Sequence, residues 1–106
     1  MKNNPVLSLL GFAAKAGKLS FGTHASEFSI TSKKAKVALV CDDISEKSQK
    51  EIKFKAEKQN IPVIILHGID SSALSQRVGK KCGMLTVNDQ GFAEAIQKNF
   101  EGGNSL

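Results

Sequence analysis

Three short runs, Lys36–Cys41, Pro62–Leu66 and Met84–Val87, constrain this chain most. Each is too short for an ordinary helix and almost wholly apolar, the pattern of a strand covered on both faces. Segments with helical signatures separate them. Asn4 followed by Pro5 reads as a helix start, with Val6, Leu9, Leu10 and Ala13 recurring at i, i+3, i+4, i+7 up to about Ala16 and Gly17 as the stop. Leu19 to Phe21 is expected as a short edge strand, and Thr23 to about Ser32 as a second helix with a poor pattern. In that helix Phe28 and Ile30 cannot share the centre of one buried face.

Ser45 or Ser48 caps a third helix reaching about Asn60. Ser48-Gln49-Lys50-Glu51 has the form of a capping box, and Glu46–Lys50 and Glu51–Lys55 fall at i, i+4, which marks a solvated face. Asp70 or Ser71 opens a fourth helix through Leu74 and Val78 to about Lys80. Asn88 or Asp89 opens the last, through Phe92, Ala95, Ile96 and Phe100, leaving Glu101 to Leu106 as a frayed tail. Helices alternating with buried strands specify an α/β sandwich with helices on both faces, in one domain over residues 1–100. The short first strand points to a mixed sheet of four strands.

Composition narrows the function classes. Fifteen basic against ten acidic side chains give +5 over 106 residues, which favours a polyanion such as nucleic acid as partner. No apolar run approaches the ~20 residues that cross a bilayer, and Lys2-Asn3-Asn4-Pro5 does not open a signal peptide. The chain is therefore expected in the cytoplasm, away from membranes and as a monomer. Cys41 and Cys82 lie far apart with no C-x-x-C, so they read as reduced apolar residues rather than a disulfide or metal site. No Ser-His-Asp set, Cys-His pair, phosphate-binding glycine loop or clustered metal ligands appear, so no catalytic or cofactor machinery is expected.

The segment Gly17-Lys18-Leu19-Ser20-Phe21-Gly22-Thr23-His24 is the main candidate site. Gly22 lets backbone approach a partner, Thr23 is placed to cap the second helix, and the exposed N–H groups of a helix start suit phosphate. Lys15 and Lys18 flank this turn, while Lys33, Lys34 and Lys36 follow the second helix and Lys80 and Lys81 the fourth. Together they are expected to border one face. Asp42-Asp43 after the first buried run also fits the acid pair of a phosphoacceptor receiver domain, although such a domain needs a further strand before Pro62.

The residues Leu9–Ala13, Lys15–Lys18, Gly22, Ala35–Val40, Asp42-Asp43, Gly79-Lys80 and Asp89–Ala93 together resemble the ribosomal protein L-seven-Ae family of kink-turn RNA binders, in its small bacterial branch. The resemblance spans about Pro5 to Phe100. It implies a three-layer α-β-α sandwich that grips sharply bent RNA, kink-turn or ribosomal, through the start of the second helix and the loop before the last strand. It also implies that an apolar loop residue packs against an extruded nucleotide; Met84 is the candidate here, or else it is the first buried residue of the last strand. In the family an Asn, a Glu and a Lys three residues later follow the helix-two glycine and read tandem G·A pairs and phosphates. Here Gly22 matches and those positions hold His24, Ala25 and Phe28. His24 is a donor to a base edge or phosphate. Phe28 is either a stacking residue or a core residue with Ile30 peripheral. The alternative to an RNA binder is a protein-interaction module that has kept the fold and lost the triad.

Overall fold

The first apolar run becomes an inner strand because both of its faces are covered. The computed structural model describes residues 5–104, with side chains described through 100. The order along the chain is α1 (Pro5–Lys15), β1 (Leu19–Phe21), α2 (Gly22–Thr31), β2 (Val37–Cys41), α3 (Glu46–Lys58), β3 (Val63–Leu66), α4 (Ser71–Val78), β4 (Met84–Val87) and α5 (Gln90–Asn104). The strands form one mixed sheet in the order β1-β4-β2-β3. β2 and β3 run parallel, and β4 is antiparallel to both β1 and β2.

Alternation along β2 and β4 divides the interior into two cores. Val37, Leu39, Cys41, Leu85 and Val87 pack with Val6, Leu10, Leu74, Val78 and Ile96 of α1, α4 and α5. Ala38, Val40 and Met84 pack on the other face with Ile30 of α2 and with Ile52 and Ala56 of α3. This is the three-layer sandwich expected. The run ending at Leu66 is the sheet edge, so Val63 and Ile65 are only half-buried where full burial was expected.

Helix ends follow local chemistry with some corrections. Asp70 caps α4 by accepting from the Ala73 N–H at 2.9 Å, and Asp89 caps α5 by accepting from the Phe92 N–H at 2.9 Å. For α3 the cap is Ser45, which accepts from the Ser48 N–H at 3.2 Å. The box starting at Ser48 does not form, and the Gln49 amide instead donates to the Ile44 carbonyl at 2.9 Å. Lys55 does not pair with Glu51. It crosses to Glu27 of α2 at 3.1 Å, the one ion pair among the described residues. α5 continues to Asn104, so 101–104 are helical rather than a frayed tail. The Asn4 cap and residues 105–106 lie outside the described residues.

The poor pattern of α2 has a physical cause. Its buried positions are Ser26, Ser29 and Ile30, so two of the three are polar. The Ser29 hydroxyl shares a 2.6 Å hydrogen bond with that of Ser20 on β1, and the Asn88 amide donates to Ser20 at 2.9 Å. Thr86 completes the chain by donating to Asn88 at 3.0 Å. Hydrogen bonds, not apolar area alone, seat α2 on the sheet.

Candidate nucleic-acid interface

The register of β1 on β4 decides what surrounds the start of α2. Phe21 lies opposite Leu85, so Gly22 falls level with Met84, where the chain enters β4 from the α4–β4 loop. The Lys80 ammonium lies 5.6 Å from the centre of the Phe21 ring, within cation–π range. The helix start and the Lys80-Lys81 loop therefore form one edge, as the sequence suggested.

Gly22 has φ +88, and a Cβ built there meets nothing within 4 Å. The backbone is open to an approaching partner, and only glycine takes this conformation without strain. Phe21 occupies the cap position, and no side chain bonds the first turn. Thr23 is thus not the cap expected of it; it lies exposed inside the first turn. The helix start keeps its N–H donors and positive dipole end facing outward. His24 is exposed, Ala25 is half-buried, and Phe28 is 64% exposed while Ile30 is fully buried. Phe28 as a core residue is corrected: the inner face is taken by Ser26, Ser29 and Ile30, which turns Phe28 outward.

Met84 is not available to a partner. It is 3% exposed, opposite Val40 in the ladder and packed among Ile30, Val40 and Ile52. As the first residue of β4 it points into the core, not out of the loop. What the loop does present is a groove of about 540 Å³, floored by Ile44, Cys82 and Gly83 and edged by Ser72, Gln76 and Lys81. The Ser75 hydroxyl holds the loop by accepting from the Cys82 N–H at 2.9 Å and donating to the Cys82 carbonyl at 3.1 Å. Gly83 passes so close to Ile44 that a Cβ there overlaps the Ile44 side chain. Nothing in the local sequence marks this groove, because its walls come from three separate segments.

The acid pair works inside the molecule. Asp42 accepts from the Gly68 N–H at 2.7 Å. Asp43 accepts from the Ser71 N–H at 3.0 and 3.2 Å and from its hydroxyl at 2.8 Å. These bonds from Ser71 hold the Asp43 carboxyl below the usual carboxylate range. With Asp42 bonded to the β3–α4 loop and Asp43 to the first residue of α4, and β4 antiparallel to β2, the receiver-domain reading has no support in the geometry. No group of three or more His, Cys, Asp or Glu able to hold a metal occurs among the described residues. Burial pushes the Cys41 thiol up to about 12, and it also raises Cys82, so both are neutral packing residues.

The lysines do not border one face. Lys80 and Lys81 stand at the start of β4. The Lys36 N–H donates to the Val87 carbonyl at 2.7 Å and the Asn88 N–H to the Lys18 carbonyl at 2.8 Å. Lys18, Lys33, Lys34 and Lys36, with Lys15 at the end of α1, therefore gather at the far end of β4, about 13 Å away at strand rise. The exposed ridge of α2, through His24 and Phe28, spans the two groups. Lys34 closes it, with its ammonium 5.9 Å from the Phe28 ring centre.

The model of the ribosomal protein L7Ae/L30e/S12e/Gadd45 family matches residues 5–97. The chain belongs to this family. It is 31% identical over 96 residues to a relative named RNA-binding protein YlxQ from Enterococcus faecium, with 91% of each chain covered. Among solved structures it is similar to a Bacillus halodurans protein of unknown function, with a TM-score of 0.88, 23% identity, and coverage of 93% of this chain and 99% of that one. It is also similar to a Giardia lamblia 15.5kD RNA binding protein, with a TM-score of 0.73, 11% identity, and coverage of 96% and 90%. At those identities the two structures speak for the fold of this family member. No helix among its described residues is long and apolar enough to cross a membrane.

Proposed function

We propose that this chain binds structured RNA, of kink-turn or ribosomal type, as a monomeric cytoplasmic binding protein associated with the ribosome and without enzymatic activity. The observation that carries the reading is the Phe21–Leu85 register, which sets the uncapped start of α2 beside the Lys80-Lys81 loop. Outward N–H groups, the open backbone at Gly22 and two lysines suit phosphates of a bent backbone. Thr23 and His24 are the polar side chains at this start, and Ala25 and Phe28 take the places of the family's acid and base. The groove over Ile44 and Cys82 suits a nucleotide turned out of its stack. Lys18, Lys33 and Lys34, with Lys15, reach phosphates beyond the far end of α2. Family membership and the name of the Enterococcus faecium relative support RNA as the partner class.

The test is a titration of kink-turn RNA, with a plain duplex as control, at two salt concentrations. Binding of the kink-turn that weakens steeply with salt is expected, because phosphate contacts release counterions. Equal binding to both RNAs would leave only charge attraction. No binding to either would favour the protein-interaction module.

A further inference from the structure

Two exposed phenylalanines stand on the outer surface of the α2–α3 layer. Phe28 is 64% and Phe54 60% exposed, and each carries a cation over its ring: Lys34 at 5.9 Å and Lys58 at 4.4 Å. The helices that hold them run side by side in the same direction. α2 leaves the end of β1 and α3 the end of β2, and both ends lie against the start of β4. The Glu27–Lys55 pair, at 3.1 Å, joins them across the gap.

Helical geometry fixes where the rings point. On α2 the sheet-facing residues include Ser26, and on α3 they include Ile52. Phe28 and Phe54 each stand two residues further on, about 200° around the helix, so both project away from the sheet. With Glu27 facing Lys55, the two rings stand at nearly the same height, about 10 Å apart at ordinary helix spacing. The α3 ridge around Phe54 is net basic, with Glu51 and Glu57 as the acids within one turn of the ring. Lys50 lies one turn before it and Lys58 one turn after, with Lys47 one turn before Lys50. All three are exposed, and none is in an ion pair among the described residues.

We propose that this α2–α3 face is a second RNA surface, on which Phe28 and Phe54 stack unpaired bases of a single strand while Lys34, Lys47, Lys50 and Lys58 hold its phosphates. Aromatic rings flanked by cations are the general means of gripping single-stranded nucleic acid, because every base has a face to stack. Exposed rings also suit a protein partner. The charges over the rings here are cations, however, and the face is continuous through Phe28 with the interface at the start of α2. The inference takes its partner class from the proposed function, but the two fail separately.

The experiment uses the full chain, a short oligouridine that cannot fold, and a kink-turn RNA with and without a single-stranded uridine extension. Affinities are measured together with the ring-proton NMR signals of Phe28 and Phe54. Oligouridine is expected to shift both rings, and the extension to tighten kink-turn binding. Phe54→Ala is expected to lower oligouridine affinity about tenfold, the scale of one lost base stack. Its melting temperature and its affinity for the unextended RNA should stay at wild-type values, and Phe54→Tyr should restore the loss. A Phe54 ring unmoved at saturating oligouridine, or wild-type affinity in Phe54→Ala, overturns the proposal. Self-association that disappears in Phe54→Ala, without oligouridine binding, makes the face a protein interface and overturns it too. If the kink-turn RNA fails to bind while oligouridine titrates Phe54, the proposed function falls and this surface stands.

Discussion

The Asp43 carboxylate accepts from both the backbone N–H and the hydroxyl of Ser71, at 3.0 and 2.8 Å, across 28 residues of chain. This tie fixes the turn after β2 against the first residue of α4, and so sets one wall of the groove beside the α2 start. Because the folded state holds the Asp43 carboxyl below its ordinary range, the tie contributes stability above the unfolded carboxylate pKa of about 3.9 and loses it as pH falls through the lower folded value. Asp43→Ala is expected to melt below wild type at neutral pH, with the difference shrinking as the pH drops below about 4. Thermal melts of both proteins across that range check it; a difference independent of pH would contradict it.

Gly22→Val is expected to lose RNA affinity out of proportion to stability. The φ of +88 strains any other residue by about 1–3 kcal/mol, and the β-branched side chain stands where the backbone is otherwise open. Melting temperature and affinity measured on one preparation separate the two effects. A variant that melts low yet binds RNA as tightly per folded molecule would reduce Gly22 to a turn residue.

Phe28→Ala is expected to change stability by no more than about 0.5 kcal/mol, because the ring is already 64% exposed. RNA affinity should fall. Denaturant melts give the first quantity and a gel shift the second. A loss of several kcal/mol would return Phe28 to the core, against the burial of Ile30.

Gly83→Val tests the groove. The new side chain collides with Ile44, so either the α4–β4 loop or Ile44 must move, at a cost of about 1–3 kcal/mol. The expected result is a lower melting temperature with the Lys80-Lys81 edge displaced and RNA binding weakened. Unchanged stability would mean that Ile44 swings away freely.

Much of this fold is legible in the chain because buried strands need consecutive apolar residues, and Val37–Cys41 and Met84–Val87 have them. Asp70 and Asp89 announce helix starts because their capping partners lie three residues on. α2 is hard to read for the opposite reason. Its inward Ser29 is satisfied by Ser20, which Asn88 reaches from 68 residues away, and no local pattern encodes that. The same limit governs the site. Gly22 signals an unusual backbone on its own, whereas the division of the lysines between the two ends of β4 depends on antiparallel register. Met84 shows how fine the boundary is, since it lies only three residues after the exposed Lys81 and is already inside the buried strand.

The central claim is that the α2 start faces RNA in the register that aligns Ala25 and Phe28 with the family's acid and base. The most direct test titrates one kink-turn RNA, at two salt concentrations, against wild type and against the double variant Ala25→Glu with Phe28→Lys. Each restored hydrogen bond involving a charged group is worth roughly 1.5–3 kcal/mol, so the double variant is expected to bind at least about tenfold more tightly, with both proteins weakening as salt rises. A double variant shown to be folded that binds no better than wild type would contradict the register and the site built on it.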